Sequence, residues 1–390
     1  MVRSRILWGL WLVFCLVLCM ASDSEAAYLL LIVSVVLPVG SMLLSGIPAG
    51  KITCELSFSA YGQKGQAVSG TVTAENKSLL PADRLMVRVQ CENLLTGEKV
   101  TVPVRLSLPA KGRVQAPVKL RSIHCGEIRL SSERLVLFDW FGLRKIRRSI
   151  RGAQPCYLLA APEPFPVETE VAYGENADMD SDEYSMKRAG YDPSETFAIR
   201  EYQPGDRIRQ IHWKLTEKMD TLMVRDYGLP IQNTILLLLE TGYSEQTKVA
   251  PACLDTLAEA VISVSQSLLD RQMVHSLGWQ NHEEHLFSME EIETEEELQG
   301  ILPGLLSAVP GEDPVSVLEH YLETREQLEF AHVVLFTTEH RPSLSYLADQ
   351  CLITEVICGP GRAGYDKEDG ISTVGIDPEN PQELLAYLEL

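Results

Sequence analysis

The sequence predicts a membrane-anchored protein whose body joins a β-sandwich-like module to a doubly wound α/β domain. Three observations carry this prediction. Two uncharged apolar runs occupy the first 50 residues, short alternating strands follow to about residue 150, and strands alternate with helices after residue 231. A chain of 390 residues with 45% hydrophobic content can bury the cores of two or three domains.

The first 50 residues have the composition of a transmembrane helical hairpin. Residues 6–21 and 26–44 carry no charge, and each run approaches the roughly 20 residues that a helix needs to cross a bilayer. Arg3 and Arg5 precede the first run and Lys51 follows the second, whereas the connection between them is acidic. The positive-inside rule therefore predicts a cell-membrane protein with two helices and a soluble body in the cytoplasm.

A second interpretation of the N-terminus stays open. Residues 1 to about 26 could form a cleavable signal peptide, with Arg3 and Arg5 as its basic region and Ser24, Glu25 and Ala26 as a poor cleavage site. The second apolar run would remain a membrane span in either case.

Residues 51–152 alternate apolar and polar side chains as short strands do. The clearest runs are 56–60, 67–74, 84–91, 99–108, 113–120, 128–130 and 135–138. Their spacing of about ten residues is typical of an immunoglobulin-like sandwich. The basic run over 144–151 ends this module, and it could contact anionic lipid headgroups or guard a solvated strand edge.

Residues 153–196 are rich in Pro, Gly and acidic side chains, which predicts an exposed linker. The net charge of −20 argues against nucleic-acid binding, which needs an extended basic face. The nine cysteines form no CxxC pair and no zinc spacing, so free, reduced thiols are expected.

The segment 197–230 is the most unusual part of the chain. A strand over 197–202 leads into Pro204 and Gly205, after which a short helix from Arg207 and a second strand over 222–227 are expected. The charges could form an anion site or a surface for a partner, or they could be an internal ion network. The candidate binding residues are Arg200, Glu201, Tyr202, Gly205, Asp206, Arg207, Arg209, His212, Trp213, Lys214 and Arg225.

This segment resembles the signature of the bacterial family called domain of unknown function 58. His124-Cys125-Gly126 and Asp139-Trp140-Phe141-Gly142-Leu143 resemble that family's upstream motifs, with Trp140 in place of the usual Pro. The resemblance runs from the membrane hairpin to a C-terminal domain that looks like a von Willebrand A domain. It implies partners of the kinds found alongside the family, a MoxR-type AAA+ ATPase and a transglutaminase-like membrane protein.

Residues 231–390 begin with the apolar run 234–239, typical of a buried parallel strand, and the helical run 253–270. Further strands are expected at 273–277, 332–336, 354–358 and 371–374, and further helices at 293–306, 315–328, 343–350 and 381–388. This alternation predicts a parallel, doubly wound sheet.

A von Willebrand A domain usually binds Mg²⁺ after its first strand, where this chain reads Glu240-Thr241-Gly242-Tyr243-Ser244. Gly242 offers no side-chain oxygen, so a working ion site is not expected, and Glu240, Ser244 and Thr338 are the ligands to test. No Walker motif or G-x-S-x-G appears. The sequence therefore favours a non-enzymatic interaction or assembly protein without a cofactor. The alternatives are a metal-assisted hydrolase and a metal-dependent adhesion protein.

Overall fold

The structure is a computed structural model of the 390-residue chain. It describes residues 2–22, 24–150, 154–170, 189–190, 192–201, 211–219, 221–228, 235–243, 249–312, 317–324, 330–341, 344, 351–368 and 370–389.

The chain begins with a helical hairpin, as the two apolar runs predict. Helices α1 (Val2–Ala21) and α2 (Glu25–Leu44) are both long and apolar enough to span a membrane, and the short helix α3 (Gly46–Ala49) follows. The hairpin is closed at Ser34, whose carbonyl and hydroxyl accept hydrogen bonds from the indole nitrogens of Trp8 and Trp11 at 3.1 and 2.9 Å. Most apolar side chains of α1 and α2 point outward, as the surface of a lipid-facing pair does.

Two mostly antiparallel sheets pack together after the hairpin. Their strands are β1 (Ile52–Phe58), β2 (Tyr61–Gln63), β3 (Ala67–Asn76), β4 (Ala82–Asn93), β5 (Lys99–Leu108), β6 (Arg113–Arg121), β7 (Gly126–Phe138), β8 (Lys145–Ser149) and β9 (Cys156–Ala161). One sheet has the order β1-β3-β6, and the other has the order β2-β9-β7-β4-β5 with β8 on β7. In the larger sheet, β2 and β9 form a parallel pair. Alternate residues of both sheets, among them Val72 and Val87, form one shared core.

The linker predicted for residues 153–196 differs from the structure over 154–170. Strand β9 pairs with β7 and β2 inside the larger sheet, and β10 (Glu168–Glu170) pairs in parallel with β23 (Tyr387–Glu389) at the end of the chain. The prolines at 155 and 162 bracket β9, and they suggested a loop although the six residues between them alternate in burial for most of their length. Residues 171–188 lie outside the described part.

The described part of the signature segment is a small antiparallel sheet with one helix. Strand β13 (Met223–Gly228) lies between β11 (Ala189–Gly190) and β12 (Asp192–Glu201), and helix α4 (Trp213–Met219) precedes β13. The prediction placed the start of this helix at Arg207. The structure instead has Ile211 in a β-bridge with Val224 and His212 outside the helix, because the His212 backbone N–H donates to the Met223 carbonyl.

The C-terminal domain has a seven-stranded, mostly parallel sheet. Its strands are β14 (Ile235–Leu239), β16 (His275–Asn281), β17 (Leu286–Ile292), β19 (His332–Thr337), β20 (Leu352–Cys358), β21 (Gly364–Glu368) and β22 (Ile371–Ile376), in the order β17-β16-β14-β19-β20-β22-β21. The edge strands β17 and β21 are antiparallel to their neighbours. A small pair, β15 (Gly242–Tyr243) and β18 (Gly311–Glu312), lies beside the end of β14.

Helices cover both faces of this sheet. Helix α5 (Pro251–Asp270), α6 (Glu295–Leu306) and α8 (Gln382–Leu385) pack on the face that carries Leu237 and Leu239. Helix α7 (Val317–Thr324) packs on the opposite face against Leu236 and Leu238. Although α5 is apolar enough to span a membrane by composition, it is buried in this core. The helix predicted over 381–388 ends at Leu385, where the chain turns into β23.

Candidate interaction site

Glu240, the first candidate metal ligand, lies directly after β14, where the sheet order reverses between β14 and β19. Such a switch point is where α/β sheets usually bind ligands. Here the buried Glu240 carboxylate is engaged internally, because Oε1 accepts from the Gly242 N–H at 2.9 Å and Oε2 accepts from the Val317 N–H at 2.6 Å. Val317 begins α7, so this carboxylate serves the start of a helix, where negative charge is stabilising.

The remaining groups at the switch point favour the same structural interpretation. The Arg341 guanidinium is 5% exposed and donates from Nη2 to the Gly242 carbonyl at 2.9 Å. The buried Arg341 cation therefore contacts the loop after β14, the place where a metal ion would bind. Thr338 is placed after β19 and its buried hydroxyl has no hydrogen-bond partner among the described residues, whereas Ser244 lies outside the described part.

The His124-Cys125-Gly126 motif joins the β module to helix α5. The Asp255 carboxylate of α5 accepts from the Cys125 N–H at 2.7 Å, and His124 Nδ1 lies 3.2 Å from the same carboxylate. Gly126 has φ 134°, and a Cβ there would stand 2.3 Å from Asn93 Oδ1. Glycine is needed because the backbone is left-handed and Asn93 binds the Cys125 carbonyl at 2.9 Å.

Lys64 completes this buried interface. Its Nζ lies 2.7 Å from Asp255 Oδ2 and 2.8 Å from Glu259 Oε1, so one ammonium bridges two carboxylates one turn apart on α5. Burial alone would lower the pKa of Lys64, but the hydrogen bonds to Asp255 and Glu259 outweigh it and raise the pKa. The network is a charge-compensated junction between two domains.

Cys125, Asp255 and Glu259 have the donor types of a metal site and lie close together. Two features favour the structural role instead. Lys64 already supplies a cation to both carboxylates. Burial raises the pKa of the Cys125 thiol well above its ordinary value, which disfavours the thiolate that a metal or an electrophile would need.

Helix α5 carries a polar stripe that the sequence analysis missed. Beyond Asp255, the Glu259 carboxylate accepts from the Glu163 N–H, the Ser263 hydroxyl from the Phe165 N–H, and the Ser267 hydroxyl from the Thr169 N–H, at 2.9, 3.0 and 3.3 Å. These positions recur every four residues, on one face of the helix. Polar residues at spacing four inside an apolar helix were the available signal. The stripe fixes residues 163–169 along α5.

The Asp139 to Leu143 motif joins the β module to the membrane hairpin. The Asp139 carboxylate is fully buried, and it accepts from the Arg144 N–H at 2.7 Å and from the Ser41 hydroxyl of α2 at 3.3 Å. Arg5 Nε of α1 donates to the Leu143 carbonyl at 2.9 Å. The motif is therefore a turn that contacts both helices, with Gly142 at φ 71°. Trp140 is accommodated because its side chain is 42% exposed.

The signature helix α4 is capped by His212. Its Nδ1 accepts from the Leu215 N–H at 3.2 Å, as an N-cap side chain does. This contact uses Nδ1 to hold the first turn of the helix. The Thr216 hydroxyl then accepts from the Met223 N–H at 3.0 Å and fastens the helix to β13.

The same helix leaves large apolar side chains in solvent. On the helix, Trp213 is 63% exposed and Met219 58%, and Lys214 and Lys218 are exposed too. Leu222, between the helix and β13, is 45% exposed. We call these five residues the α4 surface. Exposed tryptophan is uncommon on a surface without a partner and is enriched at interfaces.

The structure places the other predicted site residues only in part. Arg200 is registered with Val224, Glu201 with Met223, and Arg225 with Ile199 in the β12–β13 pair. Tyr202, Gly205, Asp206, Arg207 and Arg209 lie outside the described residues. The described residues thus bring His212, Trp213 and Lys214 together on or beside one helix.

Comparison with known proteins adds a family match. Residues 198–276 match the family described as protein of unknown function DUF58, in agreement with the resemblance seen in the sequence. The match spans β12, β13, β14 and α5, and therefore includes α4 and the polar stripe. No curated protein matches the chain.

Solved structures resemble only parts of the chain. The CARDB domain of a Pyrococcus furiosus protein in complex with di-metal ions is 13% identical over 28% of this chain and 90% of its own, with a TM-score of 0.20. A Listeria innocua beta-glucosidase is 12% identical over 26% of this chain and 16% of its own, with a TM-score of 0.18. Scores this low establish no shared fold.

Proposed function

We propose that this protein is a membrane-anchored, non-enzymatic interaction protein that docks a protein partner on the α4 surface. The observation that carries the proposal is Trp213, 63% exposed on a helix whose start is fixed by the His212 cap. An aromatic side chain has few rotatable bonds and loses little conformational entropy on binding, so it is suited to anchor an interface.

The architecture supports a display role. We propose that the β module is an immunoglobulin-like sandwich and that the C-terminal domain is von Willebrand A-like. Counting β14, β16, β17, β19, β20 and β22 as strands one to six, their order is 3-2-1-4-5-6 with the third strand antiparallel. The internal use of Glu240 gives less support to a metal-assisted hydrolase or a metal-dependent adhesion protein.

The chemistry of the α4 surface suggests the kind of partner. Trp213, Met219 and Leu222 need an apolar groove, and Lys214 and Lys218 favour acidic residues at its rim. The family resemblance suggests a MoxR-type AAA+ ATPase, together with a transglutaminase-like membrane protein, in cell-envelope or complex-maturation processes. Arg3, Arg5 and Lys51 favour a cytoplasmic body, where such an ATPase is found.

The test is a crosslinking pull-down from native membranes with wild-type protein and the Trp213→Ala variant. We expect wild type to recover one specific partner. The Trp213→Ala variant should recover at least tenfold less of it, which corresponds to a loss of about 1.4 kcal/mol or more in binding free energy, as for a hot-spot residue. Tyr365→Ala is the matched control, because Tyr365 is 62% exposed on the distant strand β21. Equal recovery by both variants would contradict the proposal.

A further inference from the structure

We propose that the outer face of the larger sheet of the β module binds the headgroups of anionic phospholipids in the membrane that holds the hairpin. The face is defined by four exposed arginines on four adjacent strands. They are Arg88 on β4, Arg105 on β5, Arg134 on β7 and Arg147 on β8, and we call them the basic face.

The strand register places all four arginines on one side of the sheet. One row across the strands is Arg105, Met86, Val136 and Arg147, and the next is Pro103, Arg88, Arg134 and Ser149. Residues directly opposite one another in a sheet project to the same face, and rows two residues apart share that face. The opposite side of these strands supplies Leu85, Val87 and Leu135 to the core.

Among the residues whose side chains the structure describes, the basic face has no acidic partner. Arg88 lies directly opposite Arg134, and like charges in that position are destabilising. Among the carboxylates whose side chains the structure describes, none forms a salt bridge with the four arginines. Such a concentration of cations, without a carboxylate partner in the described part of a chain of net charge −20, favours an anionic surface as the ligand.

The position of the face selects the membrane as that surface. Phe138 ends β7, and the turn that follows is fixed to the hairpin by the bond from the Ser41 hydroxyl to Asp139 and by Arg144 Nη1, which donates to the Met42 carbonyl at 2.8 Å. The row of Arg105 and Arg147 lies two residues from Phe138, about 7 Å along the strand, and the next row lies about 14 Å away. The nearer row is therefore within about one Debye length of the turn.

The turn and an adjoining pocket add features that suit a lipid headgroup. Trp140 and Phe141 are 42% and 45% exposed at the turn, and aromatic side chains are favoured at the membrane interface. A pocket of about 500 Å³ beside the turn is lined by Arg84, Arg105, Phe138 and other residues, including Asp83, whose carboxylate accepts from the Ser107 hydroxyl at 3.3 Å. Guanidinium groups over an apolar wall match a phosphate with its glycerol backbone. Arg84 lies against the turn, since its Nη1 would be 3.0 Å from a Cβ at Gly142.

The experiment is native mass spectrometry of the full-length protein, purified in detergent and equilibrated with equal amounts of phosphatidylglycerol and phosphatidylcholine. We expect wild type to retain phosphatidylglycerol preferentially. In the triple variant Arg88→Gln, Arg105→Gln, Arg147→Gln, the ratio of bound phosphatidylglycerol to phosphatidylcholine should fall about tenfold or more, because each arginine near an anionic surface contributes about fivefold.

The control removes three cations elsewhere. The control variant carries Lys119→Gln, Arg121→Gln and Lys367→Gln and has the same change in net charge. Lys119 and Arg121 lie at the end of the smaller sheet that is farther from Ile52, and Lys367 lies on β21. We expect this control to keep the wild-type ratio, and Arg→Lys at positions 88, 105 and 147 to restore it. Equal ratios of bound phosphatidylglycerol to phosphatidylcholine in the Gln variant and the control would overturn the proposal. An acidic protein would then be the expected ligand of the basic face.

Discussion

Individual residues explain why the two upstream motifs have the sequences they have. Position 126 requires glycine because its φ is positive and the Asn93 side chain approaches closely. The buried Asp139 carboxylate accepts hydrogen bonds from the Arg144 N–H in the turn and from the Ser41 hydroxyl in α2. His212 is used as a cap. The conspicuous polar residues of the motifs whose side chains are described thus hold structure, while Trp213 beside them is exposed.

Replacing Gly126 by Ala should destabilise the β module and its contact with α5 by about 1–3 kcal/mol, because a side chain at φ 134° is strained and its Cβ would overlap Asn93. The midpoint of denaturant unfolding, followed by tryptophan fluorescence, measures this change. Gly361→Ala is the control, since Gly361 also has positive φ but open space around it, and it should cost less. Equal losses would show that the contact with Asn93 is unimportant.

His124 should make stability depend on pH. Its hydrogen bond to Asp255 is the largest effect and raises the pKa of His124 above the ordinary value of 6.5. The nearby charge of Glu98 also raises this pKa, whereas burial and the charge of Lys64 oppose the rise without cancelling it. A raised pKa means that the stabilisation is fully present below pH 6.5 and is lost as the pH rises through the folded-state value.

The melting temperature should therefore fall between pH 6 and pH 8.5, and the fall should be smaller in His124→Gln, which cannot be protonated. Ser122→Ala is the control, because it removes only the hydroxyl that donates to the His124 carbonyl at 2.6 Å and should leave the pH dependence in place. If His124→Gln kept the full pH dependence of wild type, the assignment to His124 would be wrong.

At the scale of elements, helix α5 has two structural roles. Its apolar face fills the core of the C-terminal domain, and its polar stripe receives backbone N–H groups of residues 163–169. The sequence predicted the helix from its apolar periodicity. The stripe was missed because its meaning depends on a segment about 100 residues earlier, where the prolines suggested a loop.

Removing one hydroxyl from the stripe should leave a buried N–H without a partner. Ser263→Ala is expected to lower the free energy of unfolding by about 1–3 kcal/mol, the cost of an unsatisfied buried donor at Phe165. Hydrogen exchange of residues 163–169 should quicken in the same variant. Gln266→Ala, on the same helix and half-buried, is the control and should change neither quantity much. Unchanged exchange in Ser263→Ala would contradict the role of the stripe.

The stability of helix α4 should depend on the His212 side chain that caps it. The Leu215 N–H also donates to the His212 carbonyl at 2.9 Å, so His212→Ala removes one of its two acceptors and should destabilise the helix by about 0.5–1 kcal/mol. His212→Asn restores an N-cap oxygen and should keep the stability. Partner recovery in the pull-down is the readout, and Asn should retain more of it than Ala. If both variants lost the partner equally, the imidazole itself would contact the partner.

At the scale of the whole molecule, the two upstream motifs connect three parts in series. The turn at Asp139 joins the hairpin to the β module, and Cys125 with Lys64 joins the module to α5. Much of this organisation could be predicted, since the apolar runs indicated the hairpin and the alternation indicated most strands. The junctions could not, because Lys64 and Asp255 are 191 residues apart and neither position shows periodicity that points to the other.

The same limit applies to the basic strand β8. The sequence allows its basic residues to contact lipid or to guard a strand edge. In the structure β8 is a strand at one side of the larger sheet, and its partner among the described strands is β7. Its cations gain meaning from neighbours on β4 and β5, which local composition does not reveal. Charge patterns thus predicted a surface, and the register was needed to assemble it.

The most direct test of the account is photocrosslinking in native membranes from position 213. A photoreactive phenylalanine analogue in place of Trp213 should capture one protein partner, whereas the same analogue in place of Tyr365 should not, although both positions are more than 60% exposed. A specific adduct from position 213 alone is the predicted result. Adducts from neither position, or the same adducts from both, would contradict the claim that this protein presents helix α4 to a partner.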